Sequence, residues 1–121
     1  PNMVISGLAC ETQAEAGEIA ARTIETLRRH VPAAVPGIVF LSGGQSEEDA
    51  TRNLNAINAL GPQPWELSFS YGRALQQSAL KAWGGETGNV TAAQAILLHR
   101  ARMNGASRSA SYNAEMEKSA A

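Results

Sequence analysis

Residues 36–49 read PGIVFLSGGQSEED, an apolar run that ends abruptly at Ser42-Gly43-Gly44 and then turns acidic. Residues 65–77, WELSFSYGRALQQ, follow the same plan: a strand-like run, a glycine, then a helix-forming stretch. Gly37 to Leu41 has the β-branched and aromatic content of a strand that is apolar on both faces, as parallel strands covered by helices are. Ser46, with Asp49 three residues on, opens a helix whose buried side is Ala50, Leu54, Ile57 and Leu60, and Gly61-Pro62 ends it. Trp65 to Tyr71 reads as a second strand, Ala74 to Trp83 as its helix and Gly84-Gly85 as the stop.

Working outward, Pro1 to Ile5 is a short apolar segment that leaves a strand at Ser6-Gly7. A helix follows: Thr12 and Glu15 have capping-box spacing, and Ala16, Ile19, Ala20, Thr23 and Leu27 share a face. Arg28, Arg29 and His30 suit its negative end, and Pro32 and Pro36 stop it. A last helix spans Thr91 to about Asn104. Residues 106–121 are small, polar and aperiodic, as a flexible tail would be. The expected organisation is a folded part over 1–105 and a tail over 106–121.

Strands that alternate with helices imply an α/β fold with a parallel sheet, but two or three such strands cannot close a sheet or cover its edges. The expectation is therefore the last quarter of an eight-stranded (β/α) barrel, strands seven and eight with their flanking helices plus a C-terminal helix and tail. The chain begins at Pro1 without an initiator methionine, which also reads as a piece of something longer.

Composition narrows the function classes. The 121 residues are 44% hydrophobic with a formal net charge of -1, and no run of like charges exceeds Glu47-Glu48-Asp49. Neither nucleic acid nor a membrane surface is an expected partner. No apolar run approaches the roughly 18 residues that span a bilayer. Cys10 is the only cysteine, and a reducing, cytoplasmic setting fits.

The glycines carry the chemistry. Glycine lets backbone N–H groups approach a ligand closely and converge on an anion. Ser42-Gly43-Gly44 provides this at one strand end, and Ser70-Tyr71-Gly72-Arg73 adds a second approach and a guanidinium that matches a phosphate. In (β/α) barrels the loops after strands seven and eight frequently form a phosphate site. Taken singly, each glycine is equally a turn residue. The Glu47-Glu48-Asp49 stretch reads as the acidic first turn of a capped helix. His30 and His99 lack ligand spacing, Cys10 reads as inert, Trp65 and Trp83 as core, and no metal is expected.

LSGGQSEEDATRNLNAIN and PWELSFSYGRALQQSALKAWGG, together with PNMV and VPAAVPGIVF, closely resemble class I fructose-1,6-bisphosphate aldolase over nearly all of residues 1–104. The tail SYNAEMEKSAA is similar to bacterial members. The resemblance implies a (β/α)8 barrel, commonly tetrameric, that cleaves fructose 1,6-bisphosphate to dihydroxyacetone phosphate and glyceraldehyde 3-phosphate in glycolysis. The cleavage runs through a lysine Schiff base without metal or other cofactor. It further implies that Ser42, Gly43, Gly44, Ser70, Gly72 and Arg73 bind the phosphate on the dihydroxyacetone side. The family's Schiff-base lysine immediately precedes Pro-Asn-Met-Val, so no catalytic residue carries over, and Lys81 and Lys118 do not match. The remainder of the barrel is then a partner. The alternative is a non-catalytic phosphosugar-binding or assembly module.

Overall fold

The computed structural model describes residues 1–120, with side chains through Lys118. Helix α1 (Ala16–His30) buries Ile19, Ala20, Thr23, Ile24 and Leu27, the expected stripe except that Ile24 joins it and Ala16 is only half-buried. Its start differs from the expected capping box. Glu15 is the cap position without a side-chain bond, and the approach is held instead by the Ser6 hydroxyl, which accepts from the Ala14 amide at 3.0 Å.

Strand β1 (Gly37–Phe40) leads into helix α2 (Glu47–Ala59), capped as expected by the Ser46 hydroxyl, which accepts from the Asp49 amide at 3.0 Å. Strand β2 (Glu66–Phe69) leads into helix α3 (Arg73–Trp83), which ends at left-handed Gly84. A 3-10 turn over Thr87–Asn89 precedes helix α4 (Val90–Arg108), and another covers Ala114–Ala120.

β1 and β2 are parallel, from Gly37 opposite Glu66 to Phe40 opposite Phe69. The Ser70 amide prolongs the ladder by donating to the Phe40 carbonyl at 2.9 Å. On the other edge of β1, Asn2 forms a parallel bridge with Leu41, whose amide donates to the Pro1 carbonyl at 2.8 Å. The order across the sheet is thus the Pro1 segment, β1, then β2, all running one way.

Side chains alternate across a strand, and here only one face is covered. Ile38, Phe40, Leu67 and Phe69 point into a core with Ile24, Leu54 and Ile57. On the opposite face Val39 and Leu41 are 50% and 56% exposed. The expectation of a strand covered on both faces is corrected to this extent: the helices supply one layer. The outcome is a helix-rich α/β fold with a small two-stranded parallel sheet.

Two further readings change. Trp65 is buried, and its indole N–H donates to the Pro32 carbonyl at 2.9 Å, but Trp83 is 42% exposed at the end of α3 rather than core. Helix α4 also runs four residues past Asn104, through Gly105, to Arg108. Beyond it, the Tyr112 amide donates to Asn55 Oδ1 of α2 at 3.0 Å and Glu117 returns to α4, described with the site below; Ala121 lies outside the described residues.

Candidate functional site

Because Phe40 and Phe69 are in register, the two glycine loops leave the sheet side by side. Ser42 is buried, and its carbonyl accepts from the Gln45 amide at 3.2 Å, which closes the first loop into a turn. Gly44 has φ +78°, a conformation that demands glycine, and a Cβ there would press on Ile5 Cδ1 at 3.2 Å. A Cβ on Gly43 would meet a terminal guanidinium nitrogen of Arg73 at 3.3 Å and Asn2 Nδ2 at 3.6 Å. The arginine of the second loop therefore lies against the glycine of the first.

In the second loop Ser70 and Tyr71 are exposed, and Tyr71 meets Phe69 edge to face at 6.3 Å between ring centroids. Gly72 is the cap position of α3 and has no side chain to satisfy the first amides of that helix. Its carbonyl accepts from the Leu75 and Gln76 amides, each at 3.0 Å. The contrast with α2 matters: there Ser46 occupies the helix start, whereas the start of α3 is uncapped beside an exposed guanidinium. Uncapped helix amides, glycine backbone and a guanidinium together form the donor set that a phosphate dianion takes. All six residues singled out in the sequence lie on these two adjacent loops.

Behind the loops is a polar network that pattern reading missed. Arg100, 4% exposed, donates to Thr51 Oγ1 at 2.6 Å, to the Glu47 carbonyl at 3.2 Å and to both Glu117 carboxylate oxygens at 2.7 and 2.8 Å. The Thr51 hydroxyl lies 2.8 Å from the Glu47 carbonyl and 2.7 Å from Asn104 Oδ1, while Asn104 Nδ2 donates to the Ala74 carbonyl at 3.0 Å. Glu117 also meets His99 Nε2 at 2.8 Å and accepts from the Tyr112 hydroxyl at 3.0 Å. Burial opposes ionisation of Glu117, but the hydrogen bonds from Arg100 and His99 hold its carboxyl below the usual range. Burial and the Glu117 carboxylate push Tyr112 up to about 12.

The acidic run at Glu47-Glu48-Asp49 is thus more than a helix start, since Glu47 is buried and bonded to Ser78, and His99 is held by a hydrogen bond with Glu117. Asn2, Gln45 and Asn53, linked by side-chain amides, were also not singled out. No local pattern marks them, because the link from Asn53 to Gln45 forms only once α2 is folded. Among the described residues no group of three or more His, Cys, Asp or Glu is placed to hold a metal ion. A cleft of about 460 Å3 between α3 and α4 is lined mainly by Ala79, Leu80, Trp83, Val90, Ala93 and Leu97 and carries no titratable group.

Parallel strands that end in adjoining glycine loops define an α/β protein with both loops at one end of its sheet. The chain matches the model of the fructose-bisphosphate aldolase class-I family over residues 1–121, and it belongs to that family. It is 59% identical over 104 residues to fructose-bisphosphate aldolase 2 of Plasmodium berghei (strain Anka), covering 86% of this chain and 28% of that relative. With fructose-bisphosphate aldolase 2 of Caenorhabditis elegans it shares 58% over 117 residues, 95% of this chain and 32% of the relative. The fold superimposes with a TM-score of 0.89 and 53% identity on fructose-bisphosphate aldolase from Plasmodium falciparum, solved with TRAP and a small-molecule inhibitor, over 93% of this chain and 33% of that one. The chain spans about a third of the length of the relatives it matches.

Proposed function

We propose that this segment supplies strands seven and eight of a (β/α)8 barrel and grips the dihydroxyacetone-side phosphate of fructose 1,6-bisphosphate. The observation that carries the reading is the guanidinium of Arg73 lying against Gly43 across two adjacent strand ends. Ser42, Gly43 and Gly44 offer backbone donors without a Cβ in the way, Ser70 a hydroxyl, Gly72 and Arg73 the uncapped start of α3 and a fixed cation. The exposed face carrying Val39 and Leu41 is then barrel wall, covered by the rest of the barrel.

The whole polypeptide is accordingly a Schiff-base aldolase. It cleaves the bisphosphate to dihydroxyacetone phosphate and glyceraldehyde 3-phosphate, works in the cytoplasm as a tetramer and needs no metal. The imine-forming lysine belongs to the residue joined to Pro1. These residues position the bond to be broken rather than break it: a held phosphate fixes the carbonyl carbon against the amine, which removes translational freedom from the attack. The segment after α4 is fastened to that helix through Glu117. The curated relatives bear the name of an enzyme, and the non-catalytic module is set aside.

The test is Arg73→Ala in the full-length polypeptide, with binding measured for dihydroxyacetone phosphate and for dihydroxyacetone. Loss of a charge-assisted contact should weaken the phosphorylated ligand by about 1.5–3 kcal/mol and spare the other. Equal losses for both would return Arg73 to a structural role.

A further inference from the structure

Asn2 reaches from the Pro1 segment across β1 to the first glycine loop. Its Nδ2 donates to the Gly43 carbonyl at 2.7 Å. Its Oδ1 accepts from the Met3 amide at 2.9 Å and from Gln45 Nε2 at 3.2 Å, so the side-chain amide is braced in one orientation. Gln45 is braced in turn, because its Oε1 accepts from Nδ2 of Asn53, a residue of α2 that is 3% exposed. The backbone of Asn2 is fixed by its bridge to Leu41. A chain of amides thus runs from the interior of α2 through Gln45 and Asn2 to one carbonyl of the glycine loop.

That carbonyl matters because of what lies on the far side of its peptide. In a trans peptide the C=O and the following N–H point in opposite directions. Holding the Gly43 oxygen at Asn2 turns the Gly44 N–H away from Asn2. Two successive glycines have the least torsional resistance to a peptide flip. A flipped Gly43–Gly44 peptide would present a carbonyl oxygen where an anion needs a donor. The same side-chain nitrogen of Asn2 and a guanidinium nitrogen of Arg73 both lie close to the space beside the Gly43 Cα, 3.6 and 3.3 Å from where a Cβ would stand.

We infer that Asn2 is a positioning residue for the phosphate grip, one that selects the peptide orientation in which the Gly44 N–H serves as a donor. The inference rests on the phosphate reading above, and the experiment separates the two. Asn2→Ala, Gln45→Ala and Arg73→Ala are made in the full-length polypeptide. Affinity is measured for inorganic phosphate, dihydroxyacetone phosphate and unphosphorylated dihydroxyacetone.

Asn2→Ala is expected to weaken both phosphate-bearing probes roughly tenfold, the equivalent of one lost hydrogen bond, and to leave dihydroxyacetone unchanged. Gln45→Ala, which loosens the brace while leaving the Asn2 donor in place, should give a smaller loss of the same selectivity. It keeps the proposal testable should Asn2→Ala fail to fold. If Arg73→Ala weakens phosphate and both amide variants leave it within about twofold, the positioning role is overturned while the phosphate reading stands. An Asn2→Ala variant that loses all three probes equally overturns it as well, since that is the behaviour of a residue that only supports the fold. If Arg73→Ala itself spares phosphate, the underlying site is wrong and the inference falls with it.

Discussion

Ser78 holds the buried carboxylate of Glu47 at two points: its amide donates to Oε1 at 3.1 Å and its hydroxyl to Oε2. Glu47 opens α2 and Ser78 lies within α3, so the two helices that follow the glycine loops are tied together just behind them. The spacing of the loops is thereby fixed from below. Ser78→Ala removes one charge-assisted bond and leaves part of a buried carboxylate unmet. The expected cost is about 2 kcal/mol in the full-length polypeptide, measured as a fall in the urea midpoint; an unchanged midpoint would show that the tie carries no stability.

The two glycines of the first loop should respond differently to a methyl group. Gly44→Ala meets both a left-handed φ and Ile5 and should destabilise by about 1–2 kcal/mol. At Gly43 the obstacle is the far end of the Arg73 side chain, which can swing aside. Gly43→Ala should therefore keep its thermal midpoint yet weaken phosphate. Paired melting and phosphate-binding measurements on both variants decide the matter, and matching behaviour would contradict it.

Glu117 makes the attachment of the C-terminal segment depend on pH. Its carboxyl is held below the ordinary value of 4.5, so the ionised form stabilises the docked segment. A depressed folded value contributes stability that is fully present above about pH 4.5 and lost as pH falls through the folded value. The protection factors of the Tyr112 and Glu117 amides, that is, exchange corrected for its intrinsic pH dependence, should fall on acidification across that window. In Glu117→Gln the protection should already be low at neutral pH and should no longer change with acid.

Arg100→Met strips Glu117 of its principal cation, removes one of the donors to the Glu47 carbonyl and leaves the Thr51 hydroxyl oxygen without the guanidinium that donates to it. Breaking a buried pair from one side typically costs about 3–5 kcal/mol. Because Glu117 keeps some access to solvent, the lower end is expected, read from chemical denaturation. Double substitution with Glu117→Gln should recover part of the loss.

The isolated chain should lack a sharp calorimetric transition, because the face with Val39 and Leu41 has nothing to cover it. Scanning calorimetry on the monomer checks this, and a cooperative peak would show that the core beneath Phe40 and Leu54 suffices alone.

What was legible in the residues follows from how local the signals are. Strand ends, the Ser46 cap and the glycine stops are set within a few residues, and β1, α2, β2 and α3 appear close to where their patterns place them. The one-sided burial of β1 was not legible, since Val39 is apolar whether or not anything covers it. Helix α4 extends through Gly105, beyond the expected end at about Asn104; the position is exposed and a Cβ there would touch nothing. Its buried face is Arg100, Met103, Asn104 and Ser107, mostly polar and so invisible to an apolar stripe. The partner that makes Arg100 tolerable there lies seventeen residues away, beyond any local rule.

The contrast between the two tryptophans has an optical consequence. Trp65 is enclosed with its indole N–H bound to Pro32, while Trp83 faces solvent. Iodide should extinguish the emission of Trp83 and leave a bluer component from Trp65, so one fluorescence spectrum carries two reporters. The bluer one follows the joint between α1 and β2, and the redder one follows the outer end of α3, where any neighbour that came to rest on that rim would announce itself as lost quenching.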